Sequence, residues 1–303
     1  MNVSVIIPTW NAGKELRLLL DGLNAQTLKP IEIIVIDSSS SDASGDIARQ
    51  LGCTVEVIPK EKFDHGGTRN RGAELAKGEI LVFMTQDAAP CDEHFLEVLT
   101  SPLRTGLAQA AYARQIAKPD ARPPEAFVRE INYPPQSHTK SIDDLPILGI
   151  KTFFFSNAAS AITRQAFEDT GRFPENNIVN EDMLFCARLL RGGSSVAYQA
   201  DAQVFHSHNY SLVQQFKRYF DIGVFMAQAG DELSGARTSR QGRSFVARQL
   251  RFLFSSGKYG WFLWAIIDNA SRFLGFGFGR RHKYLPLWFK KRLSMHSGFW
   301  RKQ

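Results

Sequence analysis

The chain has 303 residues, 44% of them hydrophobic, 22% charged and 12% aromatic, with 37 basic and 30 acidic side chains. That is enough for a large buried core, in one big α/β domain or two smaller ones, and it excludes a disordered chain, a collagen and a coiled coil. Three scattered cysteines, Cys53, Cys91 and Cys186, exclude a disulfide framework and form no Cys-x-x-Cys pair, which fits a reducing, cytoplasmic compartment.

Met1-Asn2-Val3-Ser4 runs into Val5-Ile6-Ile7 with no basic leader or cleavable apolar core, so no signal peptide is expected. Val3 to Thr9 and Ile31 to Asp37 are short β-branched runs suited to strands buried on both faces of a parallel sheet. Thr54 to Ile58 is a weaker third strand and Glu79 to Thr85 a fourth. Between them lie helical patterns. Leu16, Leu19, Leu20 and Leu23 recur at helical spacing, Ser41 or Asp42 can cap a helix over 43–51, and Thr68 to Lys77 stops at Gly78. The alternation predicts right-handed β-α-β units in a Rossmann-like sheet.

Between Ile116 and Lys151 fall six of the 13 prolines, which forbid a long helix or an inner strand. A long loop is expected there, with at most one short helix near Glu125–Ile131. Strand- and helix-like pieces resume over 152–170, 181–191 and 194–205, followed by a helix from Leu212 to about Gly230.

In such a sheet, ligands bind beyond the carboxyl ends of the strands. Three polar clusters sit there: Pro8-Thr9-Trp10-Asn11, Asp37-Ser38-Ser39-Ser40 and Thr85-Gln86-Asp87. Asp87 ends an apolar strand, where a carboxylate needs a partner or a metal. His65-Gly66-Gly67 opens a helix and can offer backbone N–H groups to a diphosphate, with Arg69 as a fixed cation for a phosphate or a base carbonyl. Glu181 and Asp182 open another helix, where carboxylates suit the dipole or general-base work. In His206-Ser207-His208, one ring can join Asp87 at a metal or both can lie at the surface.

The tail differs. From Gly235 to Gln303 there are 15 Lys/Arg, one acid (Asp268), and four of the five Trp. Its longest strongly apolar uncharged run, Tyr259 to Ile267, is too short to span a bilayer, which takes roughly 20 residues. Cations beside aromatics suit an anionic membrane surface. Packing or oligomerisation and single-stranded nucleic acid are the alternatives; nucleic acid is not expected.

Taken together, VSVIIPTWN, IEIIVIDSSSSD, GGTRNRGAELAKGEILVFMTQDA, NED before a helix, and the later His resemble the family-2 glycosyltransferases, inverting enzymes of the GT-A fold. The match covers about residues 1–230: a nucleotide-sugar half near 1–115, an acceptor half near 150–230, and a basic aromatic helical region over 231–303. FDHGGTRN followed by TQDAAP is similar to the bacterial branch that uses dTDP-L-rhamnose. The resemblance implies that Thr9 and Asp37, with Arg69 nearby, hold the nucleobase, within a donor set of Pro8, Thr9, Asn11, Asp37, Ser39, His65, Gly66, Arg69, Thr85 and Gln86. It implies that Asp87 and His206 bind Mg²⁺ or Mn²⁺, that Asp182 is the catalytic base, and that Glu181 positions the base or the acceptor. The first Asp of the family's Asp-x-Asp motif is Thr85 here, so this chain brings one carboxylate fewer to the metal or the donor ribose. The expected partners are a nucleotide sugar, a glycan or lipid-linked acceptor, and an anionic membrane on the cytoplasmic face. A UDP-sugar transferase and a non-catalytic nucleotide-sugar-binding scaffold are the competing readings.

Overall fold

The computed structural model describes residues 1–236 and 241–301, with backbone only over 241–244. Its first part alternates β1 (Val3–Thr9), α1 (Gly13–Asn24), β2 (Glu32–Asp37), α2 (Ser44–Gln50), β3 (Thr54–Val57), α3 (His65–Leu75) and β4 (Ile80–Met84). There follow β5 (Ala89–Pro90), α4 (Phe95–Arg104), β6 (Ala110–Ile116), α5 (Pro123–Asn132), β7 (His138–Lys140) and α6 (Leu145–Leu148). Next come β8 (Ala159–Thr163), α7 (Arg164–Asp169), α8 (Glu181–Arg191), β9 (Val196–Phe205) and α9 (Leu212–Gln228). Three helices close the chain: α10 (Gln241–Ser255), α11 (Phe262–Arg280) and α12 (Leu287–Leu293).

One sheet runs β3-β2-β1-β4-β8-β6-β9-β5, with β7 also on β9. β3, β2, β1 and β4 are parallel, and β1, β2 and β4 are buried on both faces as their apolar sequences require. Ile6, Ile34, Leu81 and Phe83 enter one core layer, while Val5, Ile7, Val35 and Val82 enter the other. The β-α-β run expected over the first hundred residues holds through β4. β8 inserts antiparallel between β4 and β6, because the chain returns from the 149–158 loop at the carboxyl end of β4.

Three local expectations are corrected. α3 starts at His65 rather than Thr68, because the Asp64 carboxylate caps it by accepting from Gly67 N at 2.8 Å. α2 has no side-chain cap; Asp42 instead accepts from Ser44 N at 3.0 Å and Gly13 N at 3.1 Å, tying the starts of α2 and α1 together. The proline-rich stretch holds the helix expected near 125–131 as α5, with Pro123 and Pro124 in its first turn, where no backbone N–H is needed, but it adds a second short helix, α6, and the edge strand β7.

The tail divides by face. On α11, Ala265, Asp268, Arg272, Gly275 and Gly279 turn inward. A Cβ at Gly275 would meet Phe216 O at 2.3 Å, so the glycine lets α11 lie directly against α9. Trp300 is buried in the same core as Phe220. Leu263, Ile266, Ile267, Phe273, Leu274 and Phe278 form the opposite stripe and are exposed. Among the described residues no helix is long and apolar enough to cross a membrane.

Candidate active site

Strand pairing gathers the polar clusters. β5 pairs Ala89 with Phe205, which brings Asp87, two residues earlier, beside His206. His206 Nε2 lies 3.5 Å from Asp87 Oδ1, and His208 Nε2 lies 3.6 Å from Oδ2. The two Nε2 atoms are 3.1 Å apart. Asp87, His206 and His208 each present one ligating atom, all within 4.8 Å of one another.

The donor set fits a divalent cation. Arg129 donates to Gln115 Oε1, and the same oxygen sits 2.8 Å from His206 Nδ1. That oxygen can only accept, so Nδ1 carries the proton and Nε2 turns a lone pair toward Asp87, the tautomer a metal ligand needs. Burial depresses the His206 pKa and keeps the ring neutral, although Asp87 pulls the other way. The sequence reading included His206 and left out His208, although the alternating His-x-His spacing was its signal.

The second centre is at the start of α8. Asn180, in the left-handed region at φ 59°, turns the chain so that Glu181 and Asp182 enter the first helical turn. Asp182 accepts from the backbone N of Asn157 at 3.1 Å and of Met183 at 2.8 Å. Glu181 lies 3.1 Å from Arg69 and accepts from Asn157 Nδ2. Burial opposes the Glu181 charge, but Arg69, His65 and Asn157 outweigh it and lower the pKa. Burial first, and then the Glu181 charge, raise Asp182 to about 7. Two adjacent carboxyls are thus driven apart, one held ionised and the other poised near neutrality.

A run of contacts joins the centres. Gln115, bonded to His206, donates to Ser156 at 2.8 Å, and the next residue, Asn157, holds Asp182. Thr85 N bonds Ala158 O at 3.1 Å, tying the end of β4 to the same loop. The Thr85 hydroxyl is buried with no partner.

The β1 and β2 ends meet as the spacing implied. Ser38 N bonds Thr9 O at 2.8 Å, and Asp37 Oδ1 accepts from Ser40 N at 3.0 Å. Asn11 and Ser39 sit at φ 47° and 57°, strain of the kind that collects at functional loops. Pro8 continues β1 into this rim. The exposed Trp10 ring, absent from the sequence-derived set, carries Lys60 Nζ 3.7 Å from its centroid.

Four expected donor residues are bonded or packed within the fold. Arg69 is 4% exposed and paired with Glu181, so it is no free cation for a phosphate. At Gly66 a Cβ would run into Pro174 O, so the close backbone approach there requires glycine. Asn70 holds that segment by bonding both Phe173 O and Phe173 N. Gln86 is locked to Trp10, accepting from its N at 2.7 Å and donating to its O at 3.3 Å. His65 packs edge-on against His296 from the tail at 4.9 Å, and its Nε2 is buried without a partner.

A cavity of about 400 Å³ lined by Gln109, Thr163, Arg188 and Ser194 lies at the other end of the sheet, where Thr163 pairs with Ile80 at the start of β4.

Residues 4–171 match the model of glycosyl transferase family 2. The chain is 37% identical over 305 residues to the O-antigen chain rhamnosyltransferase RfbN of Salmonella typhimurium, covering 99% of this chain and 96% of the relative. It is 37% identical over 302 residues to the O-antigen chain rhamnosyltransferase WbaN of Salmonella anatum, with coverage of 98% and 95%. Its fold is similar to that of the mannosyltransferase PcManGT from Pyrobaculum calidifontis, solved in complex with GDP-Man and Mn²⁺ (TM-score 0.65, 15% identity, 93% and 88% of the two chains). It is also similar to S. aureus TarS 1-349 in complex with UDP-GlcNAc (TM-score 0.57, 17% identity, 97% and 84%). These neighbours carry the GT-A fold expected of the sheet.

Proposed function

The chain belongs to glycosyl transferase family 2 and is a glycosyltransferase, and from that premise we propose that it transfers L-rhamnose from dTDP-L-rhamnose, with inversion, onto a glycan or lipid-linked acceptor in surface polysaccharide synthesis. The observation that carries the reading is the pairing of a carboxyl raised to about 7, Asp182, with the Asp87–His206–His208 cluster along one bonded path. Near-full-length similarity to two rhamnosyltransferases supports the sugar.

In this reading Asp182 takes the proton from the acceptor hydroxyl as its oxygen bonds the anomeric carbon and the bond to the diphosphate breaks. A base with a pKa near the working pH suits that task. The N–H groups of Asn157 and Met183 orient the carboxylate, while Arg69 holds Glu181 as a positioning residue. Thr9, Asn11, Asp37 and Ser39 line the nucleoside end. Asp87, His206 and His208 would hold a divalent cation, with imidazole ligands favouring Mn²⁺ over Mg²⁺. That cation supplies Lewis-acid stabilisation of the departing diphosphate. Residues 1–115 form the donor half and 150–230 the acceptor half.

The exposed apolar stripe of α11, with Trp288 and the Lys290-Lys291-Arg292 run of α12 nearby in sequence, supports peripheral attachment to an anionic membrane on the cytoplasmic face. A lipid-linked acceptor would be met there.

A nucleotide-release assay over a panel of nucleotide sugars tests the function. Release from dTDP-L-rhamnose in preference to UDP-linked sugars is expected. Preference for a UDP-sugar would replace the donor, and binding without release from any donor would favour the scaffold.

A further inference from the structure

α9 carries a half-buried guanidinium, Arg218, that the site described so far does not use. Its Nη1 is 3.4 Å from the hydroxyl of Tyr210, and its central carbon is 5.4 Å from the centroid of that ring. Tyr210 in turn stacks on His208, with centroids 5.0 Å apart and planes 22° from parallel. His208 reaches Asp87 at 3.6 Å. Arg218 therefore stands at the end of a stacked ladder that begins at the candidate metal cluster.

Its charge is not neutralised. Among the described residues no carboxylate lies within ion-pair distance of Arg218, whereas Arg69 and Arg129 are matched to Glu181 and Glu125. The charge of Arg218 acts on His208, on Tyr133 at the end of α5, and on His296 in the tail, groups from three separate segments. Tyr133 also feels Asp182.

The charge balance gives such a cation a task. A divalent ion on one carboxylate and two neutral imidazoles leaves a single net positive charge. A nucleoside diphosphate brings roughly two to three negative charges, and more collects on the leaving oxygen as the sugar departs. A planar guanidinium matches phosphate oxygens in pairs, and stacking on Tyr210 pre-organises it. Arg69, the cation expected from the sequence, is committed elsewhere.

We propose that Arg218 binds the donor's diphosphate and balances its charge as it leaves, in place of Arg69. The assignment rests on the donor-site reading above. Titration calorimetry with Mn²⁺ present, using dTDP and dTMP as separate ligands, tests it on the full chain. Arg218→Ala is expected to weaken dTDP binding about tenfold or more while dTMP affinity stays within about twofold. Arg218→Lys should recover part of the loss, which separates charge from folding. Equal losses for both ligands, or no loss for dTDP, would overturn the assignment. Wild-type protein that binds neither nucleotide would remove the donor reading itself, a result distinct from failure of Arg218 alone.

Discussion

The guanidinium of Arg69 lies 3.1 Å from Glu181, and among the described residues no cation lies within ion-pair distance of the adjacent Asp182. That asymmetry sets the pH dependence. Burial and the Glu181 charge raise Asp182 to about 7, so turnover should rise with pH and reach half its plateau near pH 7. Glu181→Gln removes the charge that raises Asp182 and should move the acidic limb of the kcat profile downward. An unmoved limb would separate Asp182 from that limb. The stability effect has the opposite sign: the folded state holds the Asp182 proton more tightly than the unfolded chain. This contribution is full below the ordinary value of 3.8 and fades as pH rises through about 7.

Gln115 fixes the tautomer of His206, so its loss should be felt at the metal. Gln115→Leu is expected to lower Mn²⁺ affinity about 10- to 100-fold. His208→Ala should lower it as well, although the sequence reading left that residue out. Calorimetry with Mn²⁺ alone reads both; unchanged affinity in the two variants would exclude the cluster as a metal centre.

Gly66 is a packing residue, with Pro174 O where a Cβ would be. Gly66→Ala should cost about 1–3 kcal/mol of stability by overpacking. Denaturant unfolding measures it, and an unchanged midpoint would mean that the 173–176 segment yields freely.

The α11 stripe should act at lipid and not in the cleft. Ile266→Glu with Phe273→Glu, both on the outer face, is expected to weaken binding to anionic vesicles in co-sedimentation by about 100-fold or more, since each buried apolar side chain contributes about 1.5–3 kcal/mol. Release of nucleotide in solution should be unchanged. Vesicle binding equal to wild type would exclude this face.

What the sequence disclosed followed from local chemistry. β1, β2 and β4 were legible because apolar residues run on both faces, and Asp87 stood out as a carboxylate ending such a strand. The carboxylate pair Glu181-Asp182 was legible as the start of a helix, while the base role proposed for Asp182 came from the family resemblance. The misreadings depend on distant partners. Nothing near Gly66 announces Pro174, and nothing near Arg69 announces Glu181, since both contacts form only when the 173–182 segment folds over α3. The antiparallel β8 was hidden for the same reason, because strand direction is set by where a long loop returns. The tail's composition showed cations and aromatics but not which face of α11 the helix α9 would cover.

The most direct measurement of the central claim is the turnover of Asp182→Asn, set beside its affinity for dTDP in the presence of Mn²⁺. The asparagine retains the shape and one of the two bonds from the Asn157 and Met183 backbone N–H groups but cannot take the acceptor's proton. Affinity within about twofold of wild type and kcat lower by about 100-fold or more are expected. Wild-type turnover at unchanged affinity would contradict the assignment of Asp182 as the base.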